Sequence, residues 1–184
     1  MKSRTDIDWS NHKVDVTEHP GVLIHHIRID GRSLHNVKFI NAGGILAVTG
    51  DFGNWIFCRE FHPSKEGGVS DGYWNEKLRI SSVQDSDEWD AEATKRQLIH
   101  QLSEYLLDKG ETHEDQTTEY YQECISKCDE HEFDYTYYAY REYPSNWDSE
   151  CVVFVKKTKQ SLKCVYDAFD EICRRIKEND ANKN

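Results

Sequence analysis

The sequence predicts an α+β fold: a single domain in which an N-terminal four-stranded antiparallel meander is packed by C-terminal helices. Three observations carry this. Short β-branched runs between residues 22 and 61 are separated by glycine-containing turns. Apolar residues after residue 90 recur at helical spacing. At 12% aromatic residues, the 184-residue chain has the material for a real core.

Residues 1–20 are polar and read as a loose lead-in ending at His19-Pro20. VLIHHIRI (22–29) reads as the first strand. Asp30-Gly31 is a hairpin signal, because glycine accepts positive φ. LHNVKFI (34–40) reads as the second strand, with Val37 and Phe39 alternating with Asn36 and Lys38 so that one face is wet. Asn41-Ala42-Gly43-Gly44 turns into ILAVT (45–49). Gly50-Asp51-Phe52-Gly53 then turns into NWIFCREF (54–61). Short turns between successive strands favour antiparallel pairing. On this reading TGDFGNWIF (49–57) is first of all a hairpin turn, in which Asp51 supplies a short side-chain acceptor.

GYWNEKL (72–78) fits a short helix or a further strand, and an acidic connector follows. Asp90 is placed to cap a helix running to about residue 108, with Leu98, Leu102, Tyr105 and Leu106 on one face. Lys109-Gly110 closes it. Thr117 or Thr118 is placed to cap a second helix carrying Tyr120, Tyr121, Cys124, Ile125 and Cys128. DYTYYAYREY (134–143) has five tyrosines and no clean period, and CVVFV (151–155) is ambiguous. Leu162, Val165, Tyr166, Phe169, Ile172, Cys173 and Ile176 trace a final amphipathic helix from about residue 159 to 177, whose last turn is basic as the helix dipole favours. The domain then spans 21–178, and 179–184 is a disordered tail.

Lys+Arg 23 against Asp+Glu 34 gives a net charge of −11, which repels free nucleic acid and anionic membranes and attracts basic protein surfaces. No stretch approaches the ~20 apolar residues of a membrane span, and the start lacks the apolar core of a secretory signal. The expectation is a cytoplasmic protein with free thiols at its six cysteines. Cys124, Cys128 and His131 form C-x3-C-x2-H, a weak metal-ligand candidate without a local fourth ligand. No cofactor is expected. Phosphate-loop, nucleophile-elbow, zinc-protease and dinucleotide-binding motifs are missing from the sequence. His25 and His26 point to opposite faces of a strand. Asp51, His62 and Glu76 are the residues a small metal-dependent enzyme would use, although nothing in their spacing requires convergence.

The feature that exceeds structural need is acidity. Glu111, Glu114, Asp115, Glu119, Glu123, Asp129 and Glu130 crowd a stretch in which Lys127 is the one Lys or Arg between 111 and 134. Residues 115, 119 and 123 fall at i, i+4, i+8, so like charges line one helical face at a cost of a few tenths of a kcal/mol per pair. Such a row either solvates the surface or mimics phosphates to a basic groove.

GGILAVTGDFGNWIFCREF followed by GYWNEKL resembles a widespread family of phage and prophage proteins. Its members show a Gly-Asp-Met-Gly turn, an aromatic residue, a Val-Phe-Ser-Arg strand and a Gly-Tyr-Trp-x-Glu-Lys segment. Gly50, Asp51, Gly53, Phe57, Arg59, Gly72, Tyr73, Trp74, Glu76 and Lys77 match. Ala42-Gly43, Phe52 and Cys58 stand where that family has Trp-Pro, Met and Ser. The final helix with Cys164 is also similar. The resemblance implies phage origin and no particular activity. By analogy with acidic phage proteins of this size, the expected function is an anti-CRISPR inhibitor of a type II RNA-guided nuclease, acting in the host cytoplasm by protein–protein contact. Its binding residues would be the acidic set above together with Asp51, Phe52 and Trp55. The alternative is a small phage enzyme or an accessory protein with no defence target.

Overall fold

The computed structural model describes residues 3–32, 34–81, 87–109, 116–142 and 152–182. The fold is α+β, as expected, and the chain divides into two compact units: residues 1–86 with 158–184, and residues 87–157.

The first unit holds a six-stranded antiparallel sheet in chain order, not a four-stranded one. Its strands are β1 (Lys13–His19), β2 (Val22–Arg28), β3 (Val37–Ala42), β4 (Ile45–Gly50), β5 (Trp55–Phe57) and β6 (Leu78–Ser81). The middle four are the expected meander. β1 comes from the segment read as a lead-in, and it pairs with β2 over its whole length, from Lys13↔Arg28 to His19↔Val22. The turn that makes this possible is Pro20-Gly21, where Gly21 takes φ 76°. β6 follows α1 (Asp71–Lys77), so GYWNEKL is a helix leading directly into a strand. Ser70 caps α1, its side chain accepting from the Tyr73 N–H.

The core of this unit lies between one face of the sheet and α5 (Gln160–Ala181). Ile27, Val37, Phe39, Leu46, Val48, Trp55 and Phe57 meet Leu162, Val165, Tyr166, Phe169 and Ile172. Aromatic rings fill the volume: Trp74 stacks on Tyr166 at 5.0 Å and meets Phe57 edge-on at 4.9 Å. α5 runs four residues beyond the expected end, so residues 179–181 are helical and its last turn has no basic residue.

Residues 3–12 are strapped along α5. The buried carboxylate of Asp167 accepts from the side chains of Ser3 at 2.8 Å and Thr5 at 2.6 Å, and from the Arg4 backbone N–H at 2.9 Å. Arg4 also bridges Asp71 at 2.6 Å and pairs with Asp170. Arg175 donates to the carbonyls of Trp9 at 2.8 Å and His12 at 2.6 Å. Burial pushes the Asp167 carboxyl up, but these hydrogen bonds outweigh it and hold it below the usual carboxylate value.

The second unit contains α2 (Ala91–Lys109), α3 (Gln116–Lys127), α4 (Glu132–Arg141) and the short pair β7 (Asp87–Trp89) and β8 (Lys156–Thr158). Asp90 caps α2 as expected, accepting from the Ala93 N–H at 3.0 Å. α3 begins one residue before the first threonine considered as its cap, and Thr118 is buried inside it. Gly110 and Pro144 lie outside the described residues. Val152–Val155 belong to neither helix nor strand, and Val152 and Val153 pack into a core with Leu98, Tyr120, Tyr121, Cys124, Cys128, Tyr135 and Ala139. Buried Thr94 ties this unit together: its hydroxyl oxygen accepts from the Trp89 indole at 3.0 Å and the Val155 N–H at 3.1 Å.

Candidate functional site

The turn at residues 50–53 is built for the fold. At Gly50, φ is 143° and a Cβ would sit 1.9 Å from the Asn36 carbonyl oxygen, so only glycine fits. Asp51 then grips Asn36 twice. Its N–H donates to the Asn36 carbonyl at 2.9 Å, and its carboxylate accepts from the Asn36 N–H at 2.8 Å. Phe52 stacks on His35 at 5.8 Å and meets Trp9 edge-on at 6.1 Å. Trp55 is fully buried, its indole donating to the Phe52 carbonyl at 2.9 Å. Trp55 therefore offers no surface to a partner. The turn's polar and aromatic groups are engaged internally, with the Asp51 side chain still exposed at the rim.

Beneath it lies a histidine stack. His35, the one non-glycine residue with positive φ (59°) among those described, stacks on His12 at 5.8 Å. His12 is 3% exposed, and neither of its ring nitrogens has a hydrogen-bond partner. Burial lowers its pKa first, and neighbouring His35 lowers it further. His25 is buried and His26 half-buried on the opposite face, where it bonds Asn36 at 2.7 Å. Burial also lowers His25.

Asp51, His62 and Glu76 each have a different partner: Asn36, Glu60 at 2.9 Å and Lys77 at 2.5 Å. Among the described residues no group of three or more His, Cys, Asp or Glu is arranged to hold a metal. Cys124 and Cys128 face inward at 0% and 4% exposure, while His131 is exposed at the start of α4. Burial pushes the Cys124 thiol up to about 12 and the Cys128 thiol up to about 11. The spacing of Cys124 and Cys128 reflects their common inward side beside α3, and His131 does not share it.

The acidic surface is on the second unit. Glu111, Glu114 and Asp115 lie outside the described residues. Glu119 is exposed on α3. Lys127 sits between Glu123 at 3.7 Å and Glu130 at 3.0 Å, and Lys95 holds Asp129 at 2.5 Å. The expected row is thus a set of carboxylates partly neutralised by two lysines, with Glu119 and Glu132 at its exposed margins.

A feature the sequence reading missed adjoins it. α4 buries Tyr135 and Ala139 and turns Phe133, Tyr137 and Tyr140 outward, at 75%, 54% and 47% exposure. Phe133 and Tyr137 stack at 6.2 Å, and Arg141 lies over the Tyr137 ring at 5.2 Å. The signal was present as an i, i+4, i+7 spacing, hidden because α4 carries tyrosine on both faces.

No protein-family model, curated protein or solved structure matches this chain.

Proposed function

We propose that this is a binding protein that docks a basic protein surface with its second unit, and that the target is the nucleic-acid channel of an RNA-guided defence nuclease of the type II class. The observation that carries the reading is the exposed aromatic face of α4 beside carboxylates, on a chain of net charge −11. Aromatic residues and arginine are the side chains that anchor interfaces, and rim carboxylates supply steering toward a basic partner. Phe133, Tyr137, Tyr140 and Arg141 would be the anchors, with Glu119, Asp129, Glu130 and Glu132 as the charged rim. Such a protein acts by occupancy, in proportion to its amount, in the cytoplasm of a phage-infected host. Phage origin rests on the family resemblance of roughly residues 34–80, and the nuclease target rests on analogy with acidic phage proteins of this size.

Among the described residues no helix is long and apolar enough to cross a membrane. The test is a pull-down of tagged protein from host lysate at low and high salt, with the bound proteins identified. The reading expects a nuclease that is retained at low salt and partly shed at high salt, because exposed charge contacts are screened. Failure to recover a nuclease at either salt overturns the assignment.

A further inference from the structure

The two edges of the first unit's sheet are unlike each other. β6 is four residues long, and its sheet partner β5 pairs with it through a register shift. Short, irregular edges resist further pairing. β1 is the other edge. It is seven residues long and pairs with β2 in unbroken register from Lys13↔Arg28 to His19↔Val22. Every second residue of such a strand turns its N–H and C=O away from its neighbour. Among the described residues, Lys13–His19 make no backbone hydrogen bond beyond that pairing. No proline, glycine or bulge blunts the strand.

A cleft of about 320 Å³ opens beside this edge. Val14 and Val16 of β1, His25 of β2, and Ile172, Arg175 and Ile176 of α5 line it. Val14 and Val16 lie on the sheet face of their register partners Ile27 and His25, the face that packs on α5. Val16 is nevertheless 59% exposed. His25 is 5% exposed, and its Nδ1 has no hydrogen-bond partner. Buried polar groups are normally paired, so this nitrogen is still to be satisfied.

The chemistry of the edge selects its occupant. Seven residues at ~3.4 Å each present alternating donors and acceptors over roughly 24 Å, a pattern that another extended chain matches and a helix or small molecule does not. A strand laid on β1 sets every second side chain on the face of Val14 and Val16, over the cleft. Charge sets a further condition. Lys13 and Arg28 pair with Asp30 and Asp15, whereas Glu18 has no ion-pair partner among the described residues, on a chain of net charge −11.

We infer that β1 is a docking edge for an extended segment of a partner protein. The segment adds as a further strand, sets one branched aliphatic or aromatic side chain into the cleft between β1 and α5, and carries Lys or Arg toward Glu18. Main-chain hydrogen bonds supply the affinity and the cleft supplies the side-chain preference. The inference rests on the first unit alone and stands apart from the α4 surface.

The test pans a displayed random-peptide library on the purified full chain, then titrates a synthetic copy of the most enriched peptide into isotope-labelled protein. The expected peptide has an apolar residue flanked by Lys or Arg. Its binding is expected to slow hydrogen exchange at alternate amides of Lys13–His19 at least tenfold. Val16→Lys, at a position already exposed, is expected to weaken binding at least tenfold with unchanged circular dichroism. The inference is overturned if no peptide is enriched, if protection falls outside β1, or if binding survives Val16→Lys. It is also overturned if the outward β1 amides of the free chain are already protected in proportion to its concentration, which would mean that copies pair edge to edge.

Discussion

Asp51 and Asn36 exchange two hydrogen bonds, one through the Asp51 backbone N–H and one through its carboxylate. This pair ties the β4–β5 turn to the start of β3, and it explains why an acid follows Gly50. Asp51→Ala is expected to cost about 1 kcal/mol, the usual net worth of a hydrogen bond. Gly50→Ala is expected to cost about 3 kcal/mol or more, since it adds a clash with the Asn36 backbone to a strained φ. Urea denaturation of both variants checks the order.

Asp167 anchors the N-terminal strap. Removing it leaves Arg4 and the Ser3 and Thr5 hydroxyls facing a hole. Asp167→Ala is expected to cost about 3–5 kcal/mol, the range for breaking one side of a buried ion pair. Hydrogen exchange at the Arg4 amide, now bonded to that carboxylate, should accelerate more than exchange in β3 or β4.

Much of this architecture was legible in the sequence, and the failures have physical reasons. The β2–β5 meander was readable because Gly31, Gly43, Gly44, Gly50 and Gly53 mark its turns. β1 was missed because an edge strand has one paired side and a mostly exposed surface, so its alternation rests on Val14 and Val16 alone. Pro20-Gly21 was the available turn signal. α4 was missed because tyrosine serves both its buried and exposed faces. The wet face of β3 was legible at Lys38, exposed between buried Val37 and Phe39; that Ile24, Ile40 and Ile56 line up on the same face is revealed by pairing register alone. The acidic stretch was visible; Lys127 neutralises it locally through Glu123 and Glu130, whereas the contribution of Lys95 through Asp129 depends on α2 packing beside α3.

The buried histidines set a pH dependence. His12 and His25 have pKa values lowered from 6.5 by burial; His35 and Arg175 also oppose the charge of His12 while Asp8 favours it, and His62 opposes that of His25. The unfolded chain binds these protons first as pH falls. The histidines' contribution to stability is therefore full above 6.5 and is lost as pH drops through 6.5 toward their lower folded values. Thermal melts between pH ~7.5 and ~5.5 should show a falling midpoint. His12→Phe should flatten that slope.

The α4 surface separates binding from folding. Phe133→Ala with Tyr137→Ala is expected to change stability by less than about 1 kcal/mol, because both rings are exposed. The same pair is expected to weaken partner binding tenfold or more if these rings are anchors. Glu119→Lys with Glu123→Lys should slow association and reduce its salt dependence. Calorimetry of the free variants and binding kinetics with the captured partner check the two halves separately.

The most direct test of the central claim is a titration of the protein into a cleavage reaction of a type II RNA-guided nuclease, loaded with guide and given target DNA. The account predicts that cleavage stops near one inhibitor per nuclease at low salt, and that both double variants restore it. Full cleavage with wild-type protein in large excess would contradict the account.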